Sequence, residues 1–416
     1  MNINTLLYVY STTIMIYFLL PKIHFNIYEK INTYNSDMIQ MPCISNSLSY
    51  YLCDIKEKIN IYEKEWDNYK KYTNPYEYIH TQVPYKKKCV SKYKPLSRSY
   101  FKMLEISQLF GLHINHQNIK TFHLAEGPGG FIEAICKLRN NKEDQYIGMT
   151  IIDNNDINVP SWKKSENFLN ENKNVCIETG FDKTGDILKI ENFEYCVNKY
   201  GSSMDLITGD GGFDFSTNFN NQEQDMTKLL FAQVCFALCM QKRDGSFVLK
   251  IFDSFLSSTV DIIYILSSFY KKVYITKPQT IRYANSEKYI VCKGFLFDSS
   301  IGFYEYLYNA FNKMINTNNY IKRFISSDIS HFFLTKLEEY NSIFGQQQIE
   351  NIYYTLTLIE NKNKNEKSEK IDNIIKMNSQ KCVQWCIKHN IPYYDMYNYS
   401  EIQTIPSIYQ FETSSN

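Results

Sequence analysis

The sequence predicts an α/β fold with a mostly parallel sheet whose last strand runs antiparallel, because strand-like and helical segments alternate through its middle. The strand candidates are residues 121–125, 146–152, 175–177, 204–208, 246–251, 273–276 and 289–295. Helical patterns lie between most of them, notably at 222–241 and 257–270. Residues 277–288 leave no room for a crossover helix, so the last two strands should be antiparallel neighbours.

We expect two extensions to flank this region. The 416 residues are enough for one large domain with additions at both ends. We place the α/β domain at residues 96–300, after an N-terminal extension, 1–95, in which residues 55–69 have a helical pattern. Residues 301–416 form a C-terminal extension that should be mainly helical, with a polar break at 360–370.

An uncharged, apolar run at residues 6–20 is a candidate membrane anchor. It lacks a basic segment before it and a small-residue cleavage site after it, which argues against a signal peptide. Its Tyr, Ser and Thr residues also suit a buried helix or strand, and we favour that interpretation. A membrane-tethered scaffold is the class of protein that this run leaves open.

With a net charge of +1, the protein has no overall positive field that would attract a polyanion. Any contact with nucleic acid must therefore come from a local basic patch. The one basic and aromatic cluster is at residues 85–94, where Lys86, Lys87 and Lys88 follow Tyr85. Such a cluster can hold phosphates while its rings stack on bases. A solvated loop is the plainer interpretation, and both stay open.

The 11 cysteines include no Cys-x-x-Cys pair. A scattered, odd number of cysteines fits a reducing compartment, which means the cytoplasm or nucleus, or a virion or viral factory if the protein is viral. Cys382, Cys386 and His389 have metal-ligand character, but two further zinc ligands are not evident. We therefore predict no metal site.

A glycine-rich turn, Glu126–Phe131, follows the first predicted strand and opens a helix. Glycines let the backbone approach a ligand closely, and the helix N-terminus offers free N–H groups. No Gly-Lys-Ser/Thr sequence follows, so this turn is not a phosphate-binding P-loop. An acidic residue at the strand end suits a ligand with a cationic amino group, which favours S-adenosylmethionine over a pyrophosphate.

Three more charged residues lie at strand ends. Asp210 follows strand 204–208, Lys250 closes an apolar strand, and Glu287 precedes the last strand. A lone lysine at a strand end is usually only solvated. Ligands of open α/β sheets bind at the carboxyl edge, so several charges at this edge together indicate a site.

These segments resemble the FtsJ/RrmJ family of ribose 2′-O-methyltransferases, and most of all its eukaryotic and viral cap-specific branch. The matching motifs are AEGPGGF at 125–131, GDGGF at 209–213, KIFD at 250–253 and KPQTIRYANSEKYIVCKG at 277–294. The family's lysine on the helix before the first strand matches Lys102. The resemblance covers residues 96–297, and it departs from the family pattern at Thr208 and Ile281.

The resemblance implies a Rossmann-like methyltransferase sheet and assigns the site residue by residue. The catalytic tetrad falls on Lys102, Asp210, Lys250 and Glu287. S-adenosylmethionine would be bound by Glu126, Gly127, Pro128, Gly129, Gly130, Phe131, Asp186 and Asp153. Asn220 would contact the substrate by its place in the family pattern. Arg282 and the cluster Lys86, Lys87 and Lys88, which lies outside the resemblance, could guide the RNA phosphates.

The implied reaction is methyl transfer to the 2′-hydroxyl of the first transcribed nucleotides of capped mRNA. Lys250 would take the hydroxyl proton, and no metal is needed. RNA is the implied partner, together with other capping enzymes. One alternative is a methyltransferase of ribosomal or transfer RNA; another class is a non-catalytic RNA-binding or assembly subunit that keeps the fold.

Overall fold

A mixed sheet of eight strands forms the centre of the structure, a computed structural model that describes residues 16–114, 117–152, 161–213, 220–361 and 367–396. The strands are β1 (Tyr17–Leu19), β2 (Ile31–Ser36), β3 (Lys120–Leu124), β4 (Gln145–Met149), β5 (Val175–Glu178), β6 (Met204–Gly209), β7 (Gln241–Ile251), β8 (Tyr270–Thr276), β9 (Lys288–Phe295) and β10 (Tyr320–Ile325). The sheet has the order β1-β8-β9-β7-β6-β3-β4-β5.

The centre of this sheet is parallel, as the sequence predicts, because β7, β6, β3, β4 and β5 all run in one direction. The last strand of the α/β domain, β9, lies between β7 and β8 and is antiparallel to both, which confirms the predicted antiparallel pair. An antiparallel strand begins where its parallel neighbours end. The first residues of β9 therefore lie at the carboxyl edge of the sheet.

Helices cover both faces of the sheet. They are α1 (Asn46–Ile61), α2 (Glu63–Thr73), α3 (Ser99–Phe110), α4 (Gly130–Arg139), α5 (Glu166–Glu171), α6 (Ile190–Tyr200), α7 (Gln222–Met240), α8 (Ser257–Phe269), α9 (Tyr304–Ile315), α10 (His331–Glu360) and α11 (Lys367–Lys388). Helices α6 to α9 share one apolar cluster, which includes Phe311, and α3, α4 and α11 share another, which includes Phe101. Side chains alternate between the faces, so Phe247 and Leu249 join the first cluster and Val248 joins the second.

The two extensions pack against each other as well as against the sheet. Strand β2 pairs with β10 in a separate antiparallel ribbon. A small apolar cluster joins α1 and α2 to α10, with Ile55, Ile59 and Trp66 on one side and Ile352 and Leu356 on the other. The C-terminal extension is mainly helical, as predicted, with β10 as its one strand in the described part.

The helical pattern predicted over residues 55–69 is confirmed, but it is divided between two helices. Helix α1 ends at Ile61 and α2 begins at Glu63, because Tyr62 leaves the helical conformation with φ −119° and ψ 26°. The two helices start and end where they can bury Ile55, Ile59 and Trp66 against α10, a partner that local periodicity does not reveal.

The apolar run at 6–20 is only partly described, since residues 6–15 lie outside the described ranges. Its last part forms β1, which pairs with β8 at the edge of the sheet, Phe18 opposite Ile275. Within the described ranges, no helix combines the length and the apolar character needed to cross a bilayer. Residues 17–19 therefore form a strand, but Tyr17 and Leu19 are exposed and not buried as expected.

Candidate active site

Four neighbouring elements bring the predicted tetrad to one cleft at the carboxyl edge of the sheet. Asp210 directly follows β6, Lys250 is the penultimate residue of β7, and Glu287 directly precedes β9. These three strands are adjacent in the order β6-β7-β9. Lys102 comes from the first turns of α3, whose C-terminus is closed by Gly111 in the left-handed conformation with φ 64°.

The tetrad forms two ion pairs. The Lys102 amine lies 2.5 Å from Glu287 Oε1, and both side chains are buried. The Lys250 amine lies 3.3 Å from Asp210 Oδ1 and donates a hydrogen bond to the Asp210 main-chain oxygen at 2.7 Å. The second pair is the more accessible, with side chains 13% and 15% exposed, so Lys250 and Asp210 face the space that a substrate can reach.

Electrostatics fix the charge of the deeper pair. Burial opposes ionisation of Glu287, but Lys102, Lys250 and Arg98 outweigh it and lower the pKa of this carboxyl to about 2. Burial lowers the pKa of Lys102, against the attraction of Glu287. Glu287 is therefore a carboxylate at neutral pH and serves as a fixed negative charge beneath the cleft.

Tyr289 joins the two pairs, and the sequence prediction missed it. Its hydroxyl lies 2.9 Å from Asp210 Oδ1 and 2.8 Å from Glu287 Oε1. Burial and the two acidic neighbours raise the pKa of Tyr289, so the hydroxyl keeps its proton and donates it to one carboxylate at a time. The signal was present in the sequence, because residues two apart on a strand share a face and Tyr289 is two residues after Glu287.

Glu105 ties α3 to the loop before Glu287. Its carboxylate accepts hydrogen bonds from the main-chain N–H groups of Gln279 and Thr280 at 2.8 and 2.9 Å and from the Thr280 hydroxyl. Glu105 is one turn after Lys102 on the same helix. The two members of the deep ion pair are therefore held by elements that are themselves joined, which fixes their separation.

The glycine-rich turn places Glu126 beside the tetrad. One oxygen, Oε1, accepts hydrogen bonds from the N–H groups of Phe131 at 2.5 Å and Ile132 at 3.3 Å, at the start of α4. The other, Oε2, is buried and has no hydrogen-bond partner among the described residues. Burial, and then the charge of Asp210, raise the pKa of Glu126 well above its ordinary value. A cationic donor would satisfy the free oxygen and restore the carboxylate.

Two glycines shape this binding region. Gly129 has φ +104°, where an L side chain is strained, and its missing side chain leaves room for Trp162. Gly185 has φ +68°, and a Cβ there would lie 2.0 Å from the Thr150 carbonyl oxygen, so only glycine lets this loop approach the end of β4. Asp186 comes next, half-buried, with Oδ1 accepting from the N–H of Leu188. The structure thus brings Asp186 towards the cofactor turn, whereas Asp153 lies outside the described residues.

The predicted substrate contacts divide between different parts of the structure. Arg282 is engaged internally, because its guanidinium donates to both oxygens of the buried Glu77 at 2.9 and 2.6 Å. Its partner is 205 residues away in sequence, so the sequence could not predict this pairing. The 85–94 cluster contacts the C-terminal extension: Lys86 donates to the Met396 main-chain oxygen, and Lys88 lies over the Tyr394 ring at 4.8 Å. Lys87 is exposed.

Cys382, Cys386 and His389 belong to a packed region of α11 and its end. Both cysteines are buried, and His389 Nδ1 is hydrogen-bonded to Gln108 Oε1. In the described part of the chain, no three metal-binding side chains come together.

A cavity of about 590 Å³ lies beside the tetrad cleft. Its lining residues from the N-terminal extension are Ile39, Gln40, Met41, Pro42, Asn46, Ser49, Tyr50, Leu52, Cys53 and Lys56, and those from the α/β domain are Asn220, Asn221, Glu223, Gln224, Asp253, Phe255 and Leu256. The predicted substrate residue Asn220 is therefore on its wall. The cavity was not predicted, because half of its wall comes from a region without a recognisable motif.

Buried charges connect this cavity to the tetrad. Asp253, three residues after Lys250, pairs with Lys56 at 3.1 Å and lies 3.8 Å from the amine of Lys288, the residue after Glu287. Burial opposes ionisation of Asp253, but Lys56 and Lys288 lower its pKa. Burial and the charge of Asp253 raise the pKa of Glu223 to about 7.

A mostly parallel sheet with an inserted antiparallel strand, a glycine-rich turn after β3 and a Lys-Asp-Lys-Glu cleft defines the class of Rossmann-like methyltransferases. Residues 95–295 match the model of the FtsJ-like methyltransferase family. The chain therefore carries an FtsJ-like methyltransferase domain, as the motifs indicate.

Three curated relatives are cap-specific mRNA (nucleoside-2′-O-)-methyltransferases 1. The Dictyostelium discoideum protein is 31% identical over 54% of this chain and 31% of its own length. The Leishmania braziliensis protein is 34% identical over 41% of this chain and 42% of its own length. The Mus musculus protein is 35% identical over 40% of this chain and 20% of its own length. The matches thus span between 20% and 42% of these relatives.

Proposed function

We propose that this protein is an S-adenosylmethionine-dependent RNA methyltransferase that acts on the ribose 2′-hydroxyl of the first transcribed nucleotides of capped mRNA. The observation that carries the proposal is the tetrad cleft with its adjacent cavity, one suited to the reaction and the other to recognition. The names of the curated relatives support the same substrate class.

The residues of the cofactor turn fit S-adenosylmethionine. When bound, this cofactor supplies a methyl group on a cationic sulfur. The free, buried oxygen of Glu126 would accept a hydrogen bond from the amino group of the cofactor. Asp186, which follows Gly185 in the loop that approaches Thr150, would contact another part of the cofactor. The raised pKa of Glu126 agrees with a carboxyl group that would ionise when a positively charged ligand binds beside it.

Methyl transfer to a hydroxyl needs a group that removes the proton and a set of charges that hold the ribose in place. Lys250 is the accessible amine of the tetrad, so we assign it to the hydroxyl proton. Asp210 orients Lys250, and the buried pair of Lys102 and Glu287 fixes the floor of the cleft. Tyr289 keeps the two carboxylates at a constant separation.

The cavity supports recognition of a methylated cap. Its volume lies within the usual range of about 300–1,000 Å³ for small-ligand pockets, and its position next to Asp253 puts it beside the tetrad. Tyr50 on its rim is 71% exposed and offers a ring on which a cationic base can stack. The wall also carries two acidic groups, Asp253, whose charge is balanced by Lys56, and Glu223, whose pKa is raised to about 7.

Labelled methyl transfer to capped and uncapped RNA of one sequence, followed by nuclease mapping, tests the proposal. We expect transfer to the capped RNA at a cap-proximal ribose and much slower transfer to the uncapped RNA. Equal rates, or a preference for structured ribosomal or transfer RNA fragments, would support the alternative RNA substrates instead. Cofactor binding without transfer to any RNA would indicate the non-catalytic class.

A further inference from the structure

Arg98 lies near the tetrad, at the start of the helix that carries Lys102. It is the half-buried residue directly before α3, with helical φ and ψ angles, and it precedes Lys102 by four residues. Residues four apart on a helix lie on the same side of it, so the guanidinium is on the side that carries Lys102 into the cleft. Its charge also acts on Glu287, after those of Lys102 and Lys250, which places it within electrostatic reach of the tetrad.

Arg98 differs from every other arginine of the chain. The sequence has five, and four are in ion pairs: Arg139 with Asp144, Arg243 with Asp298, Arg282 with Glu77, and Arg323 with Asp261. The Arg98 guanidinium makes no ion pair or hydrogen bond with any residue in the described ranges, whereas its main-chain oxygen accepts a hydrogen bond from Phe101. This difference is not explained by exposure, since Arg98 is partly buried while the paired Arg243 side chain is 50% exposed.

The balance of charges around the cleft also singles out Arg98. Lys102 is balanced by Glu287, Lys250 by Asp210, and Arg282 by Glu77. Arg98 is the surplus positive charge of this group, counted over the residues that the structure describes. A partly buried cation without a partner is costly, and an anionic ligand removes that cost.

A guanidinium suits a phosphodiester best, because its planar donors match two phosphate oxygens. In RNA the phosphodiester nearest to a 2′-hydroxyl is the one on the neighbouring 3′-oxygen. We propose that Arg98 binds the phosphodiester on the 3′ side of the target ribose, and that the site therefore requires at least one nucleotide beyond the one it methylates. This inference rests on the proposed function for its substrate, and it assigns to Arg98 the phosphate contact that the sequence had suggested for Arg282.

The test combines a protein variant with a change in the substrate. Short capped RNAs carry either the normal linkage or an uncharged methylphosphonate 3′ of the target ribose, and kcat and KM are measured with wild type and Arg98→Ala. We expect Arg98→Ala to raise KM about tenfold on the normal RNA, with kcat changed much less. The methylphosphonate should cost the wild type a similar factor and cost Arg98→Ala almost nothing more. If the two losses instead multiply, Arg98 does not bind that phosphate, and the inference is wrong.

Arg243→Ala is the matched control. Arg243 is at the start of β7, seven residues from Lys250, and should show the full methylphosphonate effect of the wild type. Arg98→Lys keeps the charge without the paired donors and should recover only part of the lost affinity, while full recovery would overturn the two-oxygen contact. Unchanged cofactor affinity in Arg98→Ala excludes a folding defect.

The experiment separates this inference from the proposed function. Equal wild-type rates on capped and uncapped RNA would refute cap specificity, but the methylphosphonate comparison can be made within either RNA. If no RNA is methylated, equilibrium binding of the same two RNAs to wild type and Arg98→Ala still tests the phosphate contact, with the same pattern of losses expected.

Discussion

The tetrad cleft and the neighbouring cavity are built in opposite ways. The cleft consists of short ion pairs supplied by adjacent elements of the α/β domain, and its deep pair is almost wholly buried. The cavity is wide, largely apolar, and has one wall from the domain and one from the N-terminal extension. On the proposed function, the groups that carry out the reaction therefore lie within the domain, whereas the choice of substrate would depend on a segment outside it.

The largest effect on activity should come from removing the amine of Lys250. We expect Lys250→Ala to lower kcat by about 10²–10⁴-fold, because a positioned proton acceptor contributes on that scale. Cofactor affinity should stay close to that of the wild type in calorimetry, since in the proposed site Glu126 and not Lys250 would hold the amino group. Lys250→Arg should be nearly as inactive, because a guanidinium does not release its proton near neutral pH. Activity retained in Lys250→Arg would make Lys250 a positioning charge.

For substitutions in the cavity we expect the opposite kinetic pattern, in which KM changes and kcat does not. Tyr50→Ala should raise KM for capped RNA about tenfold, as expected for the loss of one stacked base, and leave kcat nearly unchanged. Tyr51→Ala is the control, because Tyr51 is also exposed, at 63%, follows on the same helix and does not line the cavity. Equal effects of the two substitutions, or an effect of Tyr50→Ala on uncapped RNA as well, would show that the cavity does not hold the cap.

Tyr289 tests how rigid the cleft must be. Tyr289→Phe keeps the ring that packs near Phe131 at 5.9 Å but removes the proton shared between Asp210 and Glu287. We expect kcat to fall about fivefold, the scale of one hydrogen bond, with little change in KM for RNA. A rise in KM without a change in kcat would mean that the hydroxyl contacts substrate instead of the carboxylates.

The smallest effect on kcat and KM should come from Glu77, which lies where the extension meets the loop of the cleft and whose charge acts on stability. Burial opposes ionisation of Glu77, but Arg282 lowers its pKa from 4.5 to about 2. A lowered pKa in the folded state stabilises the protein above the unfolded-state value, and this stabilisation is lost as the pH falls from about 4.5 towards 2. At neutral pH it amounts to at most about 3 kcal/mol.

Glu77→Gln should therefore differ most from wild type near neutral pH. Chemical unfolding of both proteins between about pH 7 and about pH 3 measures this, and the two unfolding free energies should converge as the pH falls. A constant difference over that range would show that the carboxylate contributes packing and not charge. Arg323, which pairs with Asp261 on another helix, provides an ion pair whose titration should be unaffected.

The central strands and the tetrad could be predicted from the sequence because each signal is local. A strand, a turn and a charged residue follow one another within about ten residues, and the parallel topology then brings their ends together. Tyr289 was missed although its spacing from Glu287 carried the signal. Lys102 was correctly expected in the same cleft, but only through the resemblance.

Long-range pairings account for what could not be predicted. β1 pairs with β8, and β2 pairs with β10, across more than 200 residues of sequence. The periodicity within one segment does not indicate so distant a partner. The pairing of Arg282 with Glu77 and the cavity wall around Lys56 have the same origin. Residues such as Asp153 and the segment 6–15 lie outside the described ranges, so their assignments stay predictions.

The short strand β1 has a consequence for how the protein can be divided. It covers the outer edge of β8, and Phe18 stacks on Tyr340 of α10 at 4.5 Å, so residues from both extensions close that side of the sheet. A fragment reduced to residues 96–300 would present β8 as an open edge with unpaired N–H and C=O groups, which is a template for self-association. We expect such a fragment to aggregate in light scattering, and restoring residues 16–95 together with 301–361 to return it to a monodisperse protein.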